Sequence, residues 1–144
     1  FKKVVMSSTT FNSGDKVKVG KPKTKDPSIQ FDLVCDGGFE SGNTPIHYVW
    51  GTIHYMDSNS SDNHMRISTD SSGGTPIQGT KASLTFSIDD DYWKANKDKD
   101  IQYYLLLTFH NKTQISGKAY SGTFKPNQED DFKESGPEPT PLKS

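Results

Sequence analysis

A set of aromatic residues combines flat apolar surface with polar groups, which is the chemistry that suits sugar rings and protein contact sites. Tyrosine and tryptophan offer a broad ring with a hydroxyl or N–H at its edge, and both are enriched where binding energy concentrates. Aromatic residues make up 11% of a chain that is only 30% hydrophobic. The alternative for each ring is a place in the core. We predict that a ligand contacts Tyr48, Trp50, His54, Tyr55 and Trp93.

Two acidic clusters indicate a second kind of chemistry, the binding of a cation. Asp89, Asp90 and Asp91 are consecutive, and Asp98 is followed closely by Asp100. Calcium takes several oxygen ligands, which the loops of a β domain can supply. The candidate ligands are Asp89, Asp91, Asp98 and Asp100. The alternative is helix capping and a solvated turn, because interspersed lysines balance the charge. We expect no cofactor, with calcium as the alternative.

Catalytic motifs are absent from the sequence. It contains neither Gly-x-Ser-x-Gly nor a glycine-rich phosphate loop followed by a helix. Cys35 is the single cysteine, so no intrachain disulfide or thiolate cluster forms, and we expect it to pack as a small hydrophobe. His47 and His54 are seven positions apart, and this odd step puts them on opposite faces of a strand and argues against zinc. We expect a noncatalytic protein, with a small hydrolase as an alternative.

The formal net charge of −1 hides a separation of charge along the chain. Residues 1–26 carry seven lysines and two aspartates (7 − 2 = +5), and residues 127–144 carry two lysines and five acids (2 − 5 = −3). Lysines in such a stretch protect an edge strand from unwanted pairing. Arg66 is the single arginine, which argues against sequence-specific recognition of nucleic acid, where arginine–guanine contacts are commonest. No apolar run reaches the length of a transmembrane helix.

The elements that must position these residues are strands. Turn residues recur at short intervals, which is typical of antiparallel β structure. In residues 45–56 and 101–110 both alternating faces are apolar or aromatic, so we expect these two strands at the centre of a sheet. Residues 89–96 predict one short helical turn, with Asp89 as its cap and Trp93 packed into the interior. We predict strands near 2–8, 15–19, 28–35, 45–56, 64–69, 79–88, 101–110 and 114–125.

These patterns predict an all-β fold. The expected architecture is an antiparallel β-sandwich, immunoglobulin-like or jelly-roll, with seven to nine strands and one short helical turn. We expect residues 1–126 to form this sandwich domain. Residues 127–144 have no apolar periodicity and contain the run Pro-Glu-Pro-Thr-Pro, which predicts a disordered acidic, proline-rich tail or linker.

Residues 80–125 resemble a bacterial immunoglobulin-like surface module. Such modules run through a strand, a short helical turn, a corner, a strand entered through tyrosine and a final strand. The matching parts here are residues 83–88, the turn ending near Trp93, residues 99–106 and residues 113–118. Tyr103 or Tyr104 is similar to the tyrosine corner of Greek-key sandwiches. The Cys…Trp…Cys core of true immunoglobulin domains is missing. The resemblance implies a sandwich fold and brings no catalytic residues.

We therefore expect a noncatalytic binding module of a surface or secreted protein, located outside the cell or on the cell surface. Its expected role is carbohydrate binding or adhesion, with a glycan or protein partner recognised through aromatic strand faces and loops. Two alternatives stay open. One is a structural or assembly domain that forms an oligomer or a larger particle, and the other is the small hydrolase.

Overall fold

The structure, a computed structural model, describes residues 16–41, 44–57, 60–68, 74–111 and 114–142. The predicted strand at 2–8 therefore lies outside the described residues. The elements are strands β1 Val17–Val19, β2 Lys23–Lys25, β3 Ser28–Cys35, β4 Glu40–Ser41, β5 Thr44–Pro45, β6 Tyr48–Asp57, β7 Ser60–Ser68, β8 Thr75–Pro76, β9 Lys81–Ser87, β10 Ile101–His110, β11 Gln114–Phe124, β12 Lys133–Glu134 and β13 Thr140–Pro141, and helix α1 Asp90–Ala95.

The strands form two main antiparallel sheets and one short hairpin of β4 and β5. In the five-stranded sheet, β12 pairs with β2, and both β2 and β1 pair with β3. The strand β9 pairs with the other edge of β3. The six-stranded sheet has the order β13-β11-β10-β6-β7, and β8 pairs with the start of β6. The strands β6 and β10 lie at its centre, as the sequence predicted, with Tyr103 opposite Tyr55 and His110 opposite Tyr48.

The core lies between the two sheets, because each sheet turns one apolar face inward. Every second residue of β3 is buried, and β10 alternates in the same way over most of its length. Phe31 of β3 meets Tyr103 of β10 with ring centroids 5.3 Å apart. Full burial of such a side chain contributes roughly 1.5–3 kcal/mol. The predicted all-β sandwich is confirmed, and the predicted bounds of 28–35 and 101–110 match β3 and β10.

Helix α1 confirms the predicted helical turn and its cap. The Asp89 carboxylate accepts a hydrogen bond from the Tyr92 N–H at 3.0 Å, which satisfies one of the free amides at the helix start. Trp93 is fully buried, stacks on Phe124 at 6.1 Å, and donates from Nε1 to the Asn127 carbonyl oxygen at 2.6 Å. A helix this short depends on such packing.

The C-terminal strap, which we define as residues 125–142, pairs with both main sheets. Its strand β12 lies against β2 and its strand β13 against β11. Between these strands the Ser135 N–H donates to the Pro22 carbonyl oxygen at 2.8 Å. At Gly136 the strap crosses β11 so closely that a Cβ would collide with the Thr123 carbonyl oxygen.

The strap differs from the disordered tail that the composition of residues 127–144 predicted. It is held by main-chain hydrogen bonds to strand edges and by a few buried side chains, among them Pro126 and Pro139. These contacts need no apolar periodicity, so composition does not reveal them. The sequence also gave no signal for β2, where the buried side chain of Thr24 is flanked by two lysines.

Candidate ligand-binding face

The outer face of the six-stranded sheet is built by the same alternation that fills the core. Along β6 and β10 the odd-numbered residues are buried inside the sandwich, so the even-numbered residues point outward. The register places His54 opposite Tyr104, Thr52 opposite Leu106, Trp50 opposite Thr108, and Tyr48 opposite His110. We call the outward positions of β6, β10, β11 and β13 the outer face.

Large exposed hydrophobic residues collect on this face. Among the described residues they are Tyr48, Tyr104, Leu106 and Leu142, at 40%, 47%, 40% and 38% exposure. The Leu142 N–H donates to the Ala119 carbonyl oxygen at 2.8 Å, which continues the β13–β11 pairing by one residue and puts Leu142 opposite Ala119. Ala119 in turn lies opposite Leu106. Single exposed apolar residues are ordinary, whereas residues that share a patch form a candidate interaction site.

Charged residues are absent from the outward positions that the structure describes on β6, β10 and β11, although 24% of the chain is charged. Loss of charged residues with enrichment of aromatic ones is the compositional signal of interface centres. The outward positions are Tyr48, Trp50, Thr52, His54, Gln102, Tyr104, Leu106, Thr108, His110, Gly117, Ala119, Ser121 and Thr123, of which Thr52 is buried at 4% exposure.

The outer face of the five-stranded sheet is polar by contrast. Lys23 Nζ lies 2.9 Å from Asp32 Oδ2, and Ser83 Oγ donates to Asp32 Oδ1 at 2.7 Å. Burial alone would raise the pKa of Asp32, but the hydrogen bonds from Ser83 and Lys23 hold it below its usual value. The hydrogen bond to Asp32 raises the pKa of Lys23. Lys18 and Lys81 also point outward on this sheet.

The Tyr48 end of the outer face is held in place by an aromatic and amide cluster. The Tyr48 ring stacks on His110 at 5.7 Å and meets the edge of His47 at 6.5 Å. The Asn111 side chain accepts from the His47 N–H at 2.6 Å and donates to the Pro45 carbonyl oxygen at 2.7 Å. Asn111 therefore ties the end of β10 to the start of β6, which fixes the position of Tyr48.

The structure brings together three of the five residues predicted to bind a ligand. Tyr48, Trp50 and His54 share the outer face, although Trp50 and His54 are only partly exposed. The prediction is wrong for Tyr55 and Trp93. Tyr55 is 1% exposed, lies against Tyr92 with ring centroids 5.0 Å apart, and has its pKa raised by burial to about 12. Its odd position on β6 turns it inward, because a one-residue step reverses the face.

The acidic residues predicted as alternative calcium ligands have other roles. Asp89 caps α1, and Asp91 is exposed in its first turn. Asp98 occupies a turn with a positive φ of 62°, and Asp100 lies 3.5 Å from Lys125. Within the described ranges, no group of three or more His, Cys, Asp or Glu residues is arranged to hold a metal ion.

Sequence reasoning missed three members of the face. The even-numbered positions Tyr104 and Leu106 were visible as the second face of β10, but nothing in the sequence separated them from core residues. Leu142 had no signal at all, because its place depends on the pairing of the strap with β11. Cys35 behaves as predicted: it is buried, and its Sγ donates to the Gly38 carbonyl oxygen at 3.3 Å.

Comparisons of the chain with protein-family models, curated proteins and solved structures find no match. In the part of the chain that the structure describes, no helix has the length and apolar character needed to cross a membrane.

Proposed function

We propose that this domain is a noncatalytic binding module of a surface or secreted protein, and that its outer face recognises a glycan or a protein partner. The observation that carries the proposal is the uncharged outer face with its four exposed large hydrophobic residues. Covering such surface favours association by roughly 25 cal/mol per Å² of apolar area. Rings that are already held by neighbours, as Tyr48 is by His110, lose little freedom on binding.

The chemistry of the face supports binding rather than catalysis. Hydrolysis by paired carboxylates needs two acids at close range, and a nucleophile needs an adjacent base. The outward residues described on β6, β10 and β11 offer hydroxyls, amides and the imidazoles of His54 and His110, without a carboxylate or a thiol. This set can donate and accept hydrogen bonds around an apolar patch, which is what recognition requires.

A glycan array combined with sedimentation velocity tests the proposal. The informative variant is Tyr104→Ala with Leu106→Ala, which removes exposed side chains and leaves the core unchanged. Thr85→Ala, on the outer face of the five-stranded sheet, is the matched control. We expect the double variant to weaken binding by about tenfold or more and the control to bind normally.

The outcomes separate the partners. Binding to the array, weakened only by the outer-face variant, supports a glycan ligand. Concentration-dependent association that the same variant abolishes supports a protein partner and the assembly alternative. A chain that binds nothing on the array and stays monomeric, or whose outer-face variant behaves like the wild type, refutes the proposed surface.

A further inference from the structure

The absence of charge from the centre of the outer face restricts the ligand to an uncharged one. A sulfate, carboxylate or phosphate placed over β10 and β11 would lose water without meeting a lysine or arginine among the outward residues, and a buried charge that is not paired with an opposite charge is strongly unfavourable. The opposite sheet shows what a charged surface of this protein looks like, with Lys18, Lys23, Lys25 and Lys81 pointing outward. An acidic ligand would favour that sheet.

The size of the face favours a narrow ligand over a folded protein. Four strands spaced about 4.8 Å apart and three side-chain steps of about 6.8 Å give a patch of roughly 14 by 20 Å, or about 300 Å². Stable protein–protein contacts bury about 800 Å² on each partner, which is more than twice the area of this face.

The surface shape and the polar groups of the outer face are complementary to a sugar chain. Side chains on β11 are short at Ser121 and Ala119, and they lie between the larger side chains of Tyr104 and Leu106 on β10 and of Leu142 beyond β13. Sugars present apolar ring faces with hydroxyls around the rim. An extended peptide here would leave its own amides unpaired, because the backbone groups of the sheet point sideways into its ladders.

From these three observations we infer that the ligand is an uncharged oligosaccharide that lies along β10 and β11. Tyr104, Leu106 and Leu142 contact its ring faces, and the hydroxyls of Thr108, Ser121 and Thr140 bond its rim. This inference rests on the proposed function and adds the class of ligand to it.

Amide NMR spectra of the isotope-labelled full chain test the inference with a panel of defined probes. The neutral probes are cellohexaose, laminarihexaose, xylohexaose and mannohexaose, and the charged probes are a galacturonic acid hexamer and a heparin-derived hexasaccharide. We expect at least one neutral probe to shift amides of β10, β11 and Leu142 at millimolar concentration. Its affinity should not depend on salt, since screening acts only between charges.

The decisive variant is Leu106→Asp, which puts a charge at the centre of the face. Thr85→Asp places the same charge on the outer face of the other sheet and is the matched control. We expect Leu106→Asp to weaken binding of the neutral probe by about tenfold or more and Thr85→Asp to leave it unchanged. A spectrum of each unliganded variant verifies that its fold is retained.

The failures are distinguishable. If no neutral probe shifts the spectrum, the inference is overturned. If a charged probe binds this face with salt-dependent affinity, or if Leu106→Asp abolishes self-association instead, the ligand class is wrong while the proposed surface stands. If a neutral probe binds and both charge variants bind it equally, the surface and the inference both fail.

Discussion

The substitution Asn127→Ala should lower the free energy of unfolding by about 2 kcal/mol, because it removes the side-chain hydrogen bond that joins the strap to β2. Asn127 Nδ2 donates to Thr24 Oγ1 at 2.6 Å, and Thr24 is fully buried. A buried hydroxyl left without its donor costs about 1–3 kcal/mol. Asn127 Oδ1 also accepts from the exposed Glu129 N–H at 3.1 Å, where water can replace it, so this second bond adds little.

Urea denaturation followed by tryptophan fluorescence measures this effect, since the Trp93 indole N–H donates to the Asn127 carbonyl oxygen. Asp130→Ala, at an exposed position of the strap, serves as the control and should change stability by no more than about 0.5 kcal/mol. In a Thr24→Val background, Asn127→Ala should lower the free energy of unfolding by about 1 kcal/mol less than in the wild type, because the hydroxyl that it would leave unpaired is already gone. A cost for Asn127→Ala no larger than the control's would show that the strap does not dock as described.

Three further predictions concern the core. Gly122→Ala should destabilise the fold by about 1–3 kcal/mol, because a Cβ there would lie 2.6 Å from the Tyr103 hydroxyl. The control in the same urea titration is Gly117→Ala, because a Cβ at Gly117 would lie 3.5 Å from its nearest neighbouring atom. Tyr55→Ala should cost about 3–5 kcal/mol and Tyr48→Ala much less, and equal losses in thermal melts would contradict the assigned faces. Stability should fall above about pH 10 by up to ~1.4 kcal/mol per pH unit for each buried tyrosine, because the unfolded chain releases its phenol protons first; a urea midpoint that stays constant from pH 9 to about 11 would contradict this. The tyrosines whose pKa burial raises are Tyr55, Tyr103 and Tyr120.

Local patterns predicted the parts of the fold that depend on local physics. The bounds of β3 and β10 follow from alternation, which acts along a single strand. The cap at Asp89 depends on an interaction over three residues, so the sequence identified both the helix start and the burial of Trp93. The class of fold followed from the same evidence, since many short alternating segments separated by turns are typical of an all-β sandwich or barrel.

The parts that sequence reasoning missed depend on contacts between distant segments. The strap is held to β2 and β11 by backbone groups, and Asn127 and Thr24 are joined across 103 positions of the chain. The misplacement of Tyr55 has a different origin. Both faces of β6 are aromatic, so composition predicted a central strand without telling which of its faces is outside.

The contrast between the two outer faces is not explained by folding. Strand propensity and solubility would both be served by threonine and lysine at outward positions, and the five-stranded sheet has such residues, with Thr85 and Lys25 opposite the outward positions of β3. That sheet belongs to the same sandwich and shares the same core, so the demands of packing on its strands are similar. Exposed Tyr104 and Leu106 add nothing to the interior, because β10 already fills it with the opposite face. A surface that the fold does not require is what the proposed binding role predicts.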